Sequence, residues 1–251
     1  MSHHIIDLQD VHFIYPDGTR AVSGISFRIV HGESVGIVGA NGAGKSTLLL
    51  QLSGALLPTA GSIRIGEIVL SKKTVKEIRK KIGFVFQDPD DQIFMPTVFE
   101  DVAFGPLHLG WTLENVEKSA TKALEQVNCL HLKDRPPHKL SLGQKRAVTI
   151  ASVISMDPDI LVMDEPSSNL DPRSRRQLIQ LLKSFQHSKI IASHDLDMVM
   201  EICERTIVLG DGRVAADGRT RALFSDEKLL EENGLEKPLS LQYQRLRVAT
   251  R

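Results

Sequence analysis

The sequence is poor in the features that would place it in a membrane or in an oxidising compartment. Its longest apolar runs, such as residues 160–163, fall far short of the ~20 residues of a membrane span. Met1 to Asp10 lacks a charged-then-apolar pattern, so no signal peptide is expected. Only two cysteines occur, Cys129 and Cys203. They lie far apart in no CxxC pair and are expected as reduced thiols. Charge of one sign is also missing, with 31 basic side chains against 31 acidic ones and a formal net charge of zero. A protein whose main ligand is a nucleic-acid backbone usually carries a basic stripe, so no nucleic-acid partner is expected. There is no internal repeat, low-complexity tract or long heptad pattern. His3 and His4 read as part of a flexible terminus rather than as a metal-binding pair.

What remains is an ordinary globular composition, 41% hydrophobic and 25% charged over 251 residues. That length suits one α/β domain with a smaller appended lobe. Residues 11–15, 22–30 and 34–38 read as strands punctuated by Pro16-Asp17-Gly18 and His31-Gly32. A helix follows from Gly44 to about Gly54, then strands over 62–65 and 82–86 flank a short helix at 74–80. From Asp88 to Asp157 the pattern turns helical, with Thr97, Thr112 and Ser141 at helix starts. Strand–helix alternation resumes at 160–163, 172–185, 189–192 and 195–203. It ends in short strands at 206–209 and 213–216, joined by Asp211-Gly212, a strong hairpin signal. Continuous apolar strands alternating with helices imply a parallel sheet covered on both faces, with the helical stretch inserted into it.

The most specific segment is Gly39-Ala40-Asn41-Gly42-Ala43-Gly44-Lys45-Ser46-Thr47, which matches G-x-x-x-x-G-K-[ST] between an expected strand and an expected helix. Glycines let successive backbone N–H groups turn towards phosphate oxygens, and the helix N-terminus adds its positive end. Lys45 brings a mobile charge to the β- and γ-phosphates, and the Ser46 hydroxyl suits Mg²⁺. A glycine turn that merely caps a helix is the bland alternative, and the strand–helix context weighs against it. A second motif is the apolar run 160–163 ending in Asp164-Glu165. Neighbouring strand side chains diverge, so the two acids can differ in role: Asp164 towards Mg²⁺, Glu165 towards a water at the γ-phosphate. Alone, such a pair is more often surface; with the glycine loop it reads as functional.

At this point the sequence resembles the ATPase subunits of ABC transporters over nearly its whole length. Leu140-Ser141-Leu142-Gly143-Gln144-Lys145-Arg146 is similar to the family signature, with Leu142 where glycine is usual. Gln87 resembles the lid glutamine, Ser168-Asn169-Leu170-Asp171 the dimer-contact loop, and Ser193-His194-Asp195 the switch-histidine motif. Tyr15 stands where the family places an aromatic that stacks on adenine. The resemblance implies a RecA-like P-loop NTPase core of α/β type, with an antiparallel β subdomain and an inserted α-helical subdomain. The core with its β subdomain would be residues 1–87 and 158–218, the helical subdomain 88–157 and a C-terminal extension 219–251. It implies ATP and Mg²⁺ as cofactors, with Ser46, Gln87 and Asp164 around the metal, Glu165 as the base and His194 at the γ-phosphate. Tyr15 and the loop residues Gly39, Asn41, Gly42, Ala43, Gly44, Lys45, Ser46 and Thr47 would bind nucleotide. Ser141, Gly143 and Gln144 would complete the site of a second ATPase subunit.

The stretch from Gln87 to Pro106, with Ala216-Asp217-Gly218 and residues 229–239, is similar to the ATPases of energy-coupling-factor importers. Its short single-unit chain is similar to the cobalt- or nickel-transport members; vitamin importers are the alternative. The resemblance implies a transmembrane coupling protein and a substrate-binding membrane component as partners, and a location at the cytoplasmic face of the membrane. Phe94 and Phe104 are expected either to line the groove for the coupling protein or to be core. Three other readings carry less weight. A DNA-repair or translation-factor ABC ATPase would carry coiled-coil insertions or two ATPase units. A P-loop kinase or GTPase would lack the Ser141–Gln144 signature. A non-catalytic nucleotide-gated module would not need Glu165 and His194.

Overall fold

The computed structural model describes residues 4–242. His3 lies outside them, but His4 opens a strand and pairs with Val30, where a flexible terminus was expected. In chain order the strands are β1 (His4–Ile14), β2 (Arg20–Val30), β3 (Ser34–Val38), β4 (Ala60–Ile65), β5 (Ile68–Val69), β6 (Ile82–Val85), β7 (Ile160–Asp164), β8 (Ser188–Ala192), β9 (Arg205–Gly210) and β10 (Arg213–Arg219). The helices are α1 (Lys45–Leu52), α2 (Val75–Lys81), α3 (Val98–His108), α4 (Leu113–Gln126), α5 (Leu142–Ile154), α6 (Pro172–Ser184), α7 (Leu196–Ile202), α8 (Thr220–Leu223) and α9 (Glu227–Glu232). Among the described residues no helix is long and apolar enough to cross a membrane. The chain forms two compact units: the described parts of Met1–Ile78 and Ser188–Arg251, and Arg79–His187.

The first unit contains two sheet systems. One is antiparallel in the order β2-β1-β4-β5, and β2 alternates buried and exposed residues as a one-sided sheet requires. The other follows β10-β9-β3-β8, with β3 parallel to both β8 and β9. Here β8 is buried at every position, consistent with cover on both faces. The hairpin from β9 to β10 turns through Asp211 and Gly212, whose φ of 49° and 73° are the left-handed pair a two-residue turn of this hand needs.

In the second unit β6 runs parallel to β7, and α3, α4 and α5 pack together. Val102, Val116, Ala120, Leu124, Val148 and Ala151 are buried on these helices. Thr97 and Ser141 form reciprocal capping boxes with Glu100 and Gln144, while Thr112 and Asp171 cap α4 and α6. Each such cap is worth about 1 kcal/mol and fixes where its helix starts. Pro106 lies inside α3 and cannot donate to the Val102 carbonyl. The Ser155 hydroxyl donates to that carbonyl instead, at 2.8 Å.

Asp101 pins the loop ahead of α3. Its Oδ1 accepts from the Phe94 and Met95 N–H groups at 2.9 and 3.0 Å, whereas buried Oδ2 has no hydrogen-bond partner. Burial raises the carboxyl above its ordinary value, outweighing the lowering by the two N–H groups. Between the unfolded and folded values the native state therefore binds more protons, and this group's contribution to stability declines as pH rises. Denaturant titrations of wild type and D101N should show wild type gaining on the variant as pH falls from neutral. The gain should be complete below about 3.8, the ordinary value. A pH-independent difference would refute this.

Candidate functional site

The glycine segment leaves the C-terminal end of β3, where Ile37 lies opposite Ala192 of parallel β8. Gly39 and His194, each two residues further on, therefore emerge at the same end of the sheet. At Gly44 φ is 95°, and a Cβ would run into the Ala21 carbonyl oxygen, so only glycine fits. Helix α1 starts at Lys45 with no side-chain cap and no acidic residue in its first turn. Its first-turn N–H groups thus have no side-chain cap and its positive end no neutralising carboxylate in that turn, as an anion site requires. The buried Lys45 folds back over the loop, its Nζ donating to the Gly39 and Ala40 carbonyls at 2.8 and 3.0 Å. Asn41, Gly42 and Ser46 are exposed, while Ala43 and Thr47 are buried.

Tyr15, half-buried, stands edge-on to Phe13 with ring centroids 4.9 Å apart, and its hydroxyl lies 3.0 Å from Thr47 Oγ1. The aromatic is thereby tied to the helix that carries the phosphate loop. His194 is exposed between Ser193, whose hydroxyl accepts the Asp195 N–H, and Asp195, which caps α7. A contact the sequence did not suggest comes from beyond α9: a Cβ on Gly234 would stand 3.1 Å from Ala40 Cβ.

In the second unit Val85 pairs with Met163, so Gln87 and the Asp164-Glu165 pair leave adjacent parallel strands at the same end. Both acids are only 7% exposed. Glu165 has a φ of 45°, a conformation that costs of order 1–3 kcal/mol in a non-glycine residue and clusters at functional sites. Gln87 is exposed and its carbonyl accepts from Arg146 at 2.6 Å, while the Phe86 carbonyl accepts from the same guanidinium at 2.7 Å. Lys145 Nζ reaches Asp90 at 2.6 Å. Sequence reasoning named Lys145 and Arg146 only as part of the signature. The missed signal was a basic residue on the buried stripe of α5, with Ile150 and Val153.

Ser141, Gly143 and Gln144 form the first turn of α5. The Ser141 oxygen accepts the Gln144 N–H at 3.4 Å, which leaves its proton for an outside acceptor. At Gly143 a Cβ would lie 2.9 Å from Ser174 Cβ and still nearer its hydroxyl, so a side chain has no room there. Leu142 is 38% exposed, which explains why a side chain is accommodated at that position. In the loop after the acid pair, Ser168 N–H donates to the Glu165 carbonyl and Asn169 takes a φ of 60°. Asp171 is held below the ordinary carboxylate range, chiefly by hydrogen bonds from Ser174. Near α3, Phe94 and Phe104 are 65% and 42% exposed and meet edge-to-face at 5.2 Å. Both are surface, not core.

The family model described as ABC transporter matches residues 22–168. A Geobacter sulfurreducens protein described as an ABC transporter ATP-binding protein is 61% identical over 242 residues, 96% of this chain and 97% of that protein. The energy-coupling factor transporter ATP-binding protein EcfA of Carboxydothermus hydrogenoformans is 43% identical over 93% of this chain and 87% of its own. Among solved structures, cbiO1 of Clostridium perfringens, part of the ABC transporter complex cbiONQ, superposes with a TM-score of 0.82 at 37% identity, covering 92% of this chain and 94% of that one. The fold is thus that of an ABC cassette, a P-loop NTPase with an antiparallel sheet and a helical subdomain. With its glycine loop opening an uncapped helix and its acid pair ending a buried strand, the chain belongs to the ABC transporter family as one of its ATPases.

Proposed function

We propose that this ATPase energises an energy-coupling-factor importer for a transition-metal ion, cobalt or nickel, working as a nucleotide-sandwiched dimer. The observation that carries the ATPase reading is the Gly39–Lys45 loop, with Lys45 folded over carbonyls at the mouth of an uncapped helix. Similarity to EcfA and to cbiO1 supports the importer type. The metal substrate rests on the sequence resemblance to cobalt- and nickel-transport members.

In this reading Tyr15 stacks on adenine, and the loop from Gly39 through Asn41, Gly42, Ala43 and Gly44 to Lys45, Ser46 and Thr47 holds the phosphates. Among the described residues no cluster of three or more His, Cys, Asp or Glu is arranged to hold a metal. Mg²⁺ takes one or two protein oxygens and completes its shell with water and substrate phosphates. Ser46, Gln87 and Asp164 offer only hard oxygen donors for that role. When bound, the ion neutralises charge developing on the phosphates. Glu165 orients and deprotonates the attacking water, and His194 contacts the γ-phosphate. Ser141, Gly143 and Gln144 of each subunit complete the partner's site, so dimerisation is part of catalysis.

Residues 88–157 form the lobe that meets the transmembrane coupling protein, with the exposed Phe94–Phe104 pair in its docking groove. A substrate-binding membrane component completes the complex at the cytoplasmic face. Reconstitution with the membrane partners in liposomes tests this through ATP-dependent uptake of Co²⁺, Ni²⁺ and several vitamins. Uptake of one metal is expected, lost when Phe94 and Phe104 are both replaced by alanine while ATP hydrolysis persists. Uptake of a vitamin would replace the metal assignment. Hydrolysis without uptake of any of these substrates would remove the energy-coupling-factor and metal assignments and leave the ATPase standing.

A further inference from the structure

The ATPase reading leaves Arg146 without a part. It is 2% exposed, the bulkiest fully buried side chain among the described residues, and sits in the second turn of α5. Its guanidinium forks across two successive carbonyls, Phe86 at 2.7 Å and Gln87 at 2.6 Å, and its buried Nε has no hydrogen-bond partner. A planar fork on consecutive carbonyls fixes the backbone orientation in a way that neither an ammonium nor a water can.

A buried guanidinium is a costly way to fill this position. Burying a guanidinium costs free energy that an apolar side chain of similar length would avoid. Phe86 and Gln87 are exposed residues, and their bonds to the guanidinium are part-buried rather than deep in the core. Burial lowers the Arg146 pKa, with the Asp88 charge opposing that shift, and the side chain stays cationic at any working pH. The same turn of α5 adds the Lys145–Asp90 ion pair at 2.6 Å. The backbone that presents Gln87 is therefore held from the helix whose first turn is Ser141–Gln144.

We propose that Arg146 is a positioning residue for ATP hydrolysis: through the Phe86 and Gln87 carbonyls it holds the Gln87 side chain in its working place and in register with the Ser141 end of α5. The inference rests on the ATPase reading of the site. It is tested on the full chain with R146M, which keeps the length and burial of the side chain but removes the fork, and with R146K.

For R146M the expected result is a kcat lower by about 10–100-fold, the range for a lost orienting contact. KM for ATP should be unchanged, since Tyr15 and the Gly39–Lys45 loop are untouched, and the thermal midpoint should be equal to or above that of wild type. R146K should fall between, because an ammonium reaches one carbonyl but cannot fork. A wild-type kcat per folded molecule in R146M would overturn the proposal. So would an R146M that unfolds or melts well below wild type, because Arg146 would then serve stability. Wild-type protein that did not hydrolyse ATP would instead overturn the functional reading beneath it.

Discussion

Replacing Glu165 by glutamine lowers ATP turnover by about 10²–10⁴-fold, the usual contribution of a general base, and leaves nucleotide binding in place. The substitution is isosteric, and glutamine tolerates the φ of 45° no worse than glutamate, so the backbone turn after β7 survives. What is lost, in the proposed reading, is an acceptor for the proton of the attacking water. The carboxylate is 7% exposed at the end of a buried strand, so bulk water is a poor substitute. Phosphate release and equilibrium nucleotide binding, measured separately on the same preparation, distinguish the outcomes. Hydrolysis at the wild-type rate would assign the base elsewhere. Loss of binding would show that Glu165 shapes the pocket rather than the chemistry.

Lys45→Ala gives the second large effect, on binding rather than on turnover. The ammonium serves the loop twice: it donates to the Gly39 and Ala40 carbonyls, and in the proposed reading it meets the β- and γ-phosphates. A charged hydrogen bond is worth about 1.5–3 kcal/mol, which corresponds to about a 10–100-fold loss of ATP affinity. Melting without nucleotide reports on the first role and ATP titration on the second. A modest drop in the melting midpoint with a large drop in affinity is expected. Unchanged affinity would remove Lys45 from the phosphate site.

Much of the fold and site could be read from local chemistry alone. Caps at Thr97, Thr112, Ser141 and Asp171 and the Asp211-Gly212 turn depend on a few neighbouring residues. The apolar run of β3 marked its own bounds, and the glycine loop is contiguous in sequence. The first half of β1 was less visible because Asp7, Gln9 and Asp10 interrupt its apolar pattern. What makes it a strand is pairing on both sides, with β2 and with β4, and no residue within it reports that. The two-residue β5 and short α8 and α9 carry too few residues for periodicity to show. Arg146 was hidden differently. In sequence it is one half of a basic pair in a signature motif, and only the packing of α5 shows it pointing inward.

Helix α5 is gripped near one end and attached at the other. Arg146 and Lys145 hold it to residues 86–90, and Ser155, its C-terminal cap, is bonded to the Val102 carbonyl that Pro106 leaves without its helical donor. At 1.5 Å per residue the arm from Ser141 to Arg146 is about 8 Å long and the arm from Arg146 to Ser155 about 14 Å. Its anchor at Arg146 is thus off-centre. A tilt about that anchor moves the α3 end roughly twice as far as the Ser141 end, in the opposite direction. The proline that interrupts α3 thereby leaves open the acceptor by which α5 is tied to the helix carrying Phe104.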